Sequence, residues 1–310
     1  MRRSWGRGRD FFFLPPPLDL EPRYPPDLPS PSLFAPCALT IGIPEGSAAP
    51  VTFIKLASIP FSYLGEDGKP LGFGWEMCKL IAEEVKKQSG RKDLVVESQA
   101  VTSQNRIPLI QNGTVDVECG STTNNSERGK QVTFAINYFY TGTRFLVKAD
   151  SGIKSINDLK GKKVVSTTGT TNYQILRNLN DEKKYGFELL GAKDHADALL
   201  MVESGMANAF GMDDILLYGL KASSKESAKL AVVGESIQVE PYAIMFRKDD
   251  PKFQALVNKV ITNSMKSGEF EKAYKKWFQT NIPPKNVNLN APMSKELKDN
   301  LKALSDKPAL

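Results

Sequence analysis

Residues 117–128 read V-E-C-G-S-T-T-N-N-S-E-R, and the fold turns on how this stretch is read. Val115, Val117 and Cys119 alternate with Asp116 and Glu118, which predicts a short strand with one apolar face. Gly120 breaks the alternation, and Ser121 to Asn125 are small and polar. Asn124 with Glu127 three residues on matches a capping box, so a helix is expected to begin near Asn125. A strand that runs through a hydroxyl-rich turn into a helix N-terminus offers free backbone N–H groups and a favourable dipole to an anion. Arg128 adds a planar, permanently charged fork suited to a carboxylate. The plainer alternative is a polar loop carrying a surface arginine.

Outward from this stretch, the order on the N-terminal side is strand, helix, strand, helix, strand. Trp75 to Gln88 has helical spacing at Met77, Leu80, Ile81 and Val85, with Gly90 as the stop. Leu94 to Val101 is strand-like. Ser103 is the expected cap of a short helix through Leu109 and Ile110. The pattern predicts a parallel, doubly wound α/β sheet. Tyr138 to Val147 is a long aromatic and β-branched run, longer than one strand of one domain needs, and is read as a crossing between two lobes. A second α/β set follows: strand 163–166, turn 167–171, helix 173–179, strand 187–190, a helix His195 to Ser204 capped by Asp194, strand 209–212 and helix 214–222. Glu240 to Arg247 is read as one returning strand. Helices 251–267 and 270–278 and a polar tail from Asn281 complete the chain.

The chain has 310 residues, enough for two domains. Its 41 Lys+Arg against 35 Asp+Glu give +6, without a basic run suited to nucleic acid. Mild positive charge suits a small anion instead. No apolar run approaches the length of a membrane span. With one histidine and cysteines at 37, 78 and 119, no metal-ligand spacing is present and no cofactor is expected. Cys78 and Cys119 could pair in an exported protein, but spacing cannot bring them together; they are read as two buried thiols. Residues 1–50 hold 11 of the 20 prolines and no Lys, Asn, Gln or Val, and are read as an extended segment without a readable export signal. Ala38 to Ile43 is read as the first strand.

The order of motifs also resembles a known family. S-x-Q-N-R-I-P-L-I-Q-N-G-T-x-D-x-E-C-G-S-T-T-N-N-x-E-R, from Ser103 to Arg128, is similar to the glutamate/aspartate-binding periplasmic proteins that serve bacterial ABC importers. Ser166 to Thr171, Ala192 to His195, Met212-Asp213-Asp214, Arg247 to Pro251, and Trp277 followed by Ile282 to Asn286 match in the same order. The resemblance implies a type II periplasmic binding fold: two doubly wound α/β lobes on a two-strand hinge, 38–142 with 245–281 and 143–244, a tail 282–310, and a non-native or disordered segment 1–37. It implies a free acidic L-amino acid as ligand, membrane permease subunits as partners, a monomer and a periplasmic location. The site residues it implies are Arg128, Thr123 and Thr171 for an α-carboxylate, Asp213 and Ser121 for an ammonium, and Ser103, Arg106 and His195 for a distal carboxylate. An arginine that follows the family's first strand is missing: the count falls on Lys55 or on Pro44.

Each residue also has a plainer reading. Asp213 is expected as a helix cap, Gly169 to Thr171 as an ordinary turn, Arg106 and His195 as solvated surface residues, and Phe61 and Tyr63 as core rather than pocket aromatics. An enzyme of the same fold, of the dehydratase type, would need a free acid or base, for which His195 is the candidate. A ligand-sensing module without a transport role is the third reading. The receptor reading is preferred over both.

Overall fold

The computed structural model describes residues 51–54, as backbone, and 58–309, all within one compact unit. The expected strand 38–43, the segment 1–50, Cys37, and the Lys55 and Pro44 positions lie outside the described residues.

In chain order the first lobe contains β1 (Val51–Ile54), the hairpin β2 (Tyr63–Leu64) and β3 (Pro70–Leu71), α1 (Phe73–Ser89), β4 (Val96–Ser98), α2 (Arg106–Gln111), β5 (Val117–Glu118), α3 (Ser126–Gly129) and β6 (Val132–Phe134). The second follows as β7 (Phe139–Lys148), β8 (Lys163–Thr167), α4 (Thr171–Lys183), β9 (Glu188–Ala192), α5 (His195–Glu203), β10 (Ala209–Asp213), α6 (Asp214–Ser223), β11 (Leu230–Val233) and β12 (Val239–Tyr242). The chain then returns through β13 (Met245–Arg247), α7 (Pro251–Ser267), α8 (Glu269–Phe278), the short pair β14 (Asn281–Ile282) and β15 (Val287–Asn288), and α9 (Lys295–Ala303).

The first sheet has the order β4-β1-β5-β13-β6, with β1 parallel to both β4 and β5 and β13 antiparallel to both of its neighbours. The second has the order β11-β7-β10-β8-β9, again with a parallel half, β10-β8-β9, and an antiparallel half, β11-β7-β10. The two lobes thus repeat one winding. In the first sheet β1 lies between β4 and β5.

The long run at 138–147 is one ten-residue strand, β7. Its first half pairs with β12 and its second half with β10 and β11. The return run 240–247 is not one strand. It breaks at Ala243-Ile244 into β12, paired with β7, and β13, paired within the first sheet. A continuous apolar run does not mark where a strand changes partners, so the break is invisible to periodicity.

The crossing is held by rings. Phe61 is fully buried, with ring centroids 4.9 Å from Phe139, 5.2 Å from Tyr242, 5.5 Å from Phe278 and 6.2 Å from Tyr138. Edge-to-face pairs of this kind add about 0.5–1.5 kcal/mol each beyond area burial. Phe61 is therefore a core ring, and Tyr63, which donates to Pro283 O at 2.6 Å, is another; neither serves as a pocket aromatic.

Cys78 and Cys119 form a disulfide between α1 and the residue that follows β5. This corrects the two-thiol reading: the fold sets their Cα atoms 5.9 Å apart, which no linear spacing reveals. The tail from Asn281 is more than surface wrapping. Asn300 Nδ2 donates to Asn137 O, Asn137 Nδ2 to Lys307 O and Asn124 Nδ2 to Asp306 O, at 2.7–2.8 Å. Ala309 N donates to Asn124 O at 2.9 Å.

Candidate functional site

The loop after β5 is braced on every side. Ser62 Oγ donates to Cys119 O at 2.6 Å, the Tyr138 hydroxyl donates to Gly120 O, Asn124 N donates to Pro241 O at 2.8 Å, and Ala243 N donates to Thr122 O at 3.1 Å. The helix it enters, α3, is capped by Asn125, whose Oδ1 accepts from Arg128 N at 2.9 Å, so the cap is one residue later than the expected Asn124. A single turn has little stability of its own. Its orientation comes from these brackets.

Arg128 points inward from α3 and is only 8 % exposed. Its Nη1 donates to Thr123 O at 3.0 Å and its Nη2 to Gly169 O at 3.2 Å, the second bond reaching the other lobe. Thr123 Oγ1 and Thr171 Oγ1 are 3.2 Å apart across the same boundary. Thr171 opens α4, whose N-cap Thr170 accepts from Tyr173 N. The N-terminal dipole of a 13-residue helix therefore meets Thr123 and Arg128, an arrangement favourable to an anion.

Arg106 opens α2 and is 2 % exposed, not the solvated arginine of the plainer reading. Its Nη1 donates to Thr122 Oγ1 at 2.6 Å, and the Thr122 hydroxyl donates in turn to Glu118 Oε2. Its Nε and Glu118 Oε1 have no hydrogen-bond partner among the described residues. Burial pulls the pKa of both guanidiniums down, Arg128 to about 9, and the proximity of Arg106 adds to the effect on Arg128. Two desolvated cations acting on each other favour the arrival of negative charge.

Ser103, also buried, precedes Gln104, whose backbone lies against Gly169: a Cβ on that glycine would sit 2.8 Å from Gln104 Cα. Gly169 has φ of +79°, so both its conformation and its neighbour exclude a side chain. Ser121 Oγ donates to Ser58 Oγ at 3.1 Å. His195 opens α5 behind its cap Asp194, is 3 % exposed, and holds Nδ1 2.8 Å from Thr167 Oγ1. It is not a surface histidine.

Asp213 ends β10 at the N-cap position of α6 but makes no side-chain cap bond. Its Oδ1 accepts from Asn172 Nδ2 at 2.8 Å and its Oδ2 from the Tyr242 hydroxyl. The helix-cap reading is thereby displaced: the carboxylate bonds Asn172 and Tyr242 in place of the N–H groups of its own helix. Thr171 Oγ1 donates to Glu240 Oε2 at 2.9 Å. Glu240, Glu118, Thr122, Asn172 and Tyr242 belong to this cluster and were not singled out from sequence. Alternation placed Glu118 on a solvent face, but Val117 and Glu118 are both fully buried, so β5 is covered on both faces.

The chain is similar to known proteins over most of its length. The family described as bacterial extracellular solute-binding proteins, family 3, matches residues 52–280. The L-glutamate/L-aspartate-binding protein of Pseudomonas aeruginosa is 51% identical over 254 residues, covering 82% of this chain and 84% of that protein. The glutamate/aspartate import solute-binding protein of Escherichia coli is 46% identical over 251 residues, covering 81% and 83%. Among solved structures, an ancestral arginine-binding protein bound to arginine superposes with a TM-score of 0.66 at 30% identity, over 75% of this chain and 99% of that one.

Proposed function

Since the chain belongs to the bacterial extracellular solute-binding proteins of family 3, we propose that it is a receptor that captures L-glutamate or L-aspartate and delivers it to an ABC permease. It is a binding protein and not an enzyme. One observation carries the choice of ligand: Arg106 and Arg128 are buried together on one lobe, and Asp213 is buried on the other. The two guanidiniums suit the carboxylates and Asp213 suits the ammonium, the charged groups of an acidic amino acid.

In this reading Arg128, Thr123 and Thr171 take the α-carboxylate, and the ligand competes with Thr123 O and Gly169 O for the guanidinium. Asp213 and Ser121 take the ammonium. Arg106, through its unpartnered Nε, Ser103 and His195 take the distal carboxylate. The lobes, 38–142 with 245–281 and 143–244, close about β7 and β12. The disulfide suits an oxidising compartment such as the periplasm, and the receptor acts as a monomer.

Calorimetric titration with the twenty amino acids tests the proposal. Glutamate and aspartate are expected to bind, and glutamine at least about tenfold more weakly, because a charge-assisted hydrogen bond exceeds a neutral one by roughly 1 kcal/mol or more. Equal affinity for glutamate and glutamine would leave a general amino-acid receptor and remove the acidic-ligand reading.

A further inference from the structure

Glu240 sits on the crossing strand β12 opposite Thr141 of β7 and is fully buried. Its Oε2 accepts from Thr171 at 2.9 Å and its Oε1 faces Gln238 Nε2 at 3.5 Å, while the residue after Thr171, Asn172, and the residue two along β12, Tyr242, both reach Asp213, so the two carboxyl groups are neighbours. Two buried, neighbouring carboxyl groups oppose each other's ionisation unless a cation lies between them. Among the described residues no lysine or arginine forms an ion pair with either. The terminal nitrogens of Arg128 are bonded to Thr123 O and Gly169 O, and Arg106 is bonded to Thr122.

We infer that Glu240 belongs to the ligand site: in the unliganded protein it shares one proton with Asp213, and an arriving α-ammonium group expels that proton to solvent. This rests on the amino-acid receptor reading. The ammonium keeps its three protons, and the O–H bond of the carboxyl pair breaks to leave two carboxylates around one cation. Burial, then the neighbouring Asp213 charge, raises Glu240 to about 8, while Arg128 opposes the rise. Asp213 is raised as well, by burial first, with Asp214 adding to it. The other groups acting on the pair are Arg106 from α2 and Tyr242 on the same strand as Glu240. Capture is therefore coupled to proton release, and affinity rises with pH up to about 8, where the proton is already gone.

The test is titration of glutamate at pH 7 in two buffers of different ionisation enthalpy, phosphate and Tris, for the wild type and Glu240→Gln. The amide keeps an acceptor for Thr171 and has no carboxyl proton to lose. The wild type should release about one proton more per glutamate bound than the variant. Any contribution of His195 is common to both proteins and cancels in the difference. Glutamate binding with equal proton counts would overturn the inference and leave the receptor reading intact. Failure of the wild type to bind any acidic amino acid would overturn the receptor reading itself. Should the variant not fold, the wild type alone decides. Its affinity should rise by up to about tenfold per pH unit between pH 6 and 8, and a flat or falling profile counts against the shared proton.

Discussion

Among single residues, Arg128 has the most to lose. It is buried, bonded to a carbonyl of each lobe, and assigned to the one group that every α-amino acid carries. Arg128→Ala should abolish measurable binding of glutamate, since breaking a buried charge pair on one side costs roughly 2–5 kcal/mol or more. Retention of affinity within about threefold of wild type in calorimetry would place the carboxylate elsewhere. Glu240 makes a second prediction, about stability. Unfolded, its carboxyl titrates near 4.5; folded, near 8, so the folded state holds the extra proton between those values. Stability from this group is complete below the lower value and is lost as pH rises towards the upper one. The denaturation midpoint of the unliganded protein should therefore fall between pH 5 and pH 8, and Glu240→Gln should flatten that fall. These residues were unequally legible. Asp213 lay at a helix start in either reading, because a cap and a ligand acceptor call for the same side chain in the same place. Only the packing of Asn172 and Tyr242 around it tells them apart. Arg106 and His195 likewise needed the tertiary fold to show that they are buried, and Glu240 gave no signal beyond opening an apolar run.

At the scale of elements, punctuation in the sequence was dependable and partner choice was not. Asp250 caps α7, Pro251 takes its first turn and Gly268 ends it in the left-handed conformation, so both ends of that helix coincide with the sequence reading. The break between β12 and β13 and the pairing of Cys78 with Cys119 depend on neighbours far along the chain. The disulfide closes a loop of 41 residues, for which the chain-entropy model gives about 4 kcal/mol. Replacing both cysteines by serine should lower the melting temperature by roughly 10 °C. An unchanged melting temperature would show that hydrogen bonds from Ser62 and Tyr138 suffice to hold the loop. Gly219 offers a sharper probe of the packing between lobes. A Cβ there would sit 2.4 Å from Ile59 O, a backbone atom. In a helix interior, Gly→Ala ordinarily stabilises by about 0.5–1 kcal/mol. Gly219→Ala should instead weaken glutamate binding by about tenfold or more, because overpacking costs roughly 1–3 kcal/mol. Unchanged affinity with a higher melting temperature would mean that the contact yields freely.

For the molecule as a whole, the arrangement described is one in which the lobes touch: Arg128 reaches Gly169, Thr123 meets Thr171, and Gly219 lies on Ile59. Closure on a ligand predicts that saturating glutamate reduces the radius of gyration measured by X-ray scattering. An identical value with and without glutamate would argue against motion about β7 and β12. The two-lobe plan was legible because strand and helix patterns alternate through both halves and a single overlong strand divides them. The tail's part beside the candidate site was not, since apart from Asn300 its contacts with Asn124, Asn125 and Asn137 are made by backbone groups that carry no side-chain signature. Those contacts also set a schedule. Asp306 lies 182 positions after Asn124, so during translation the loop after β5 emerges well before its last fastening. A nascent chain that has already made both sheets holds that loop through Ser62, Tyr138, Pro241 and Ala243 but without the tail, and it gains the last fastening of Asn124 only once Asp306 has cleared the ribosome.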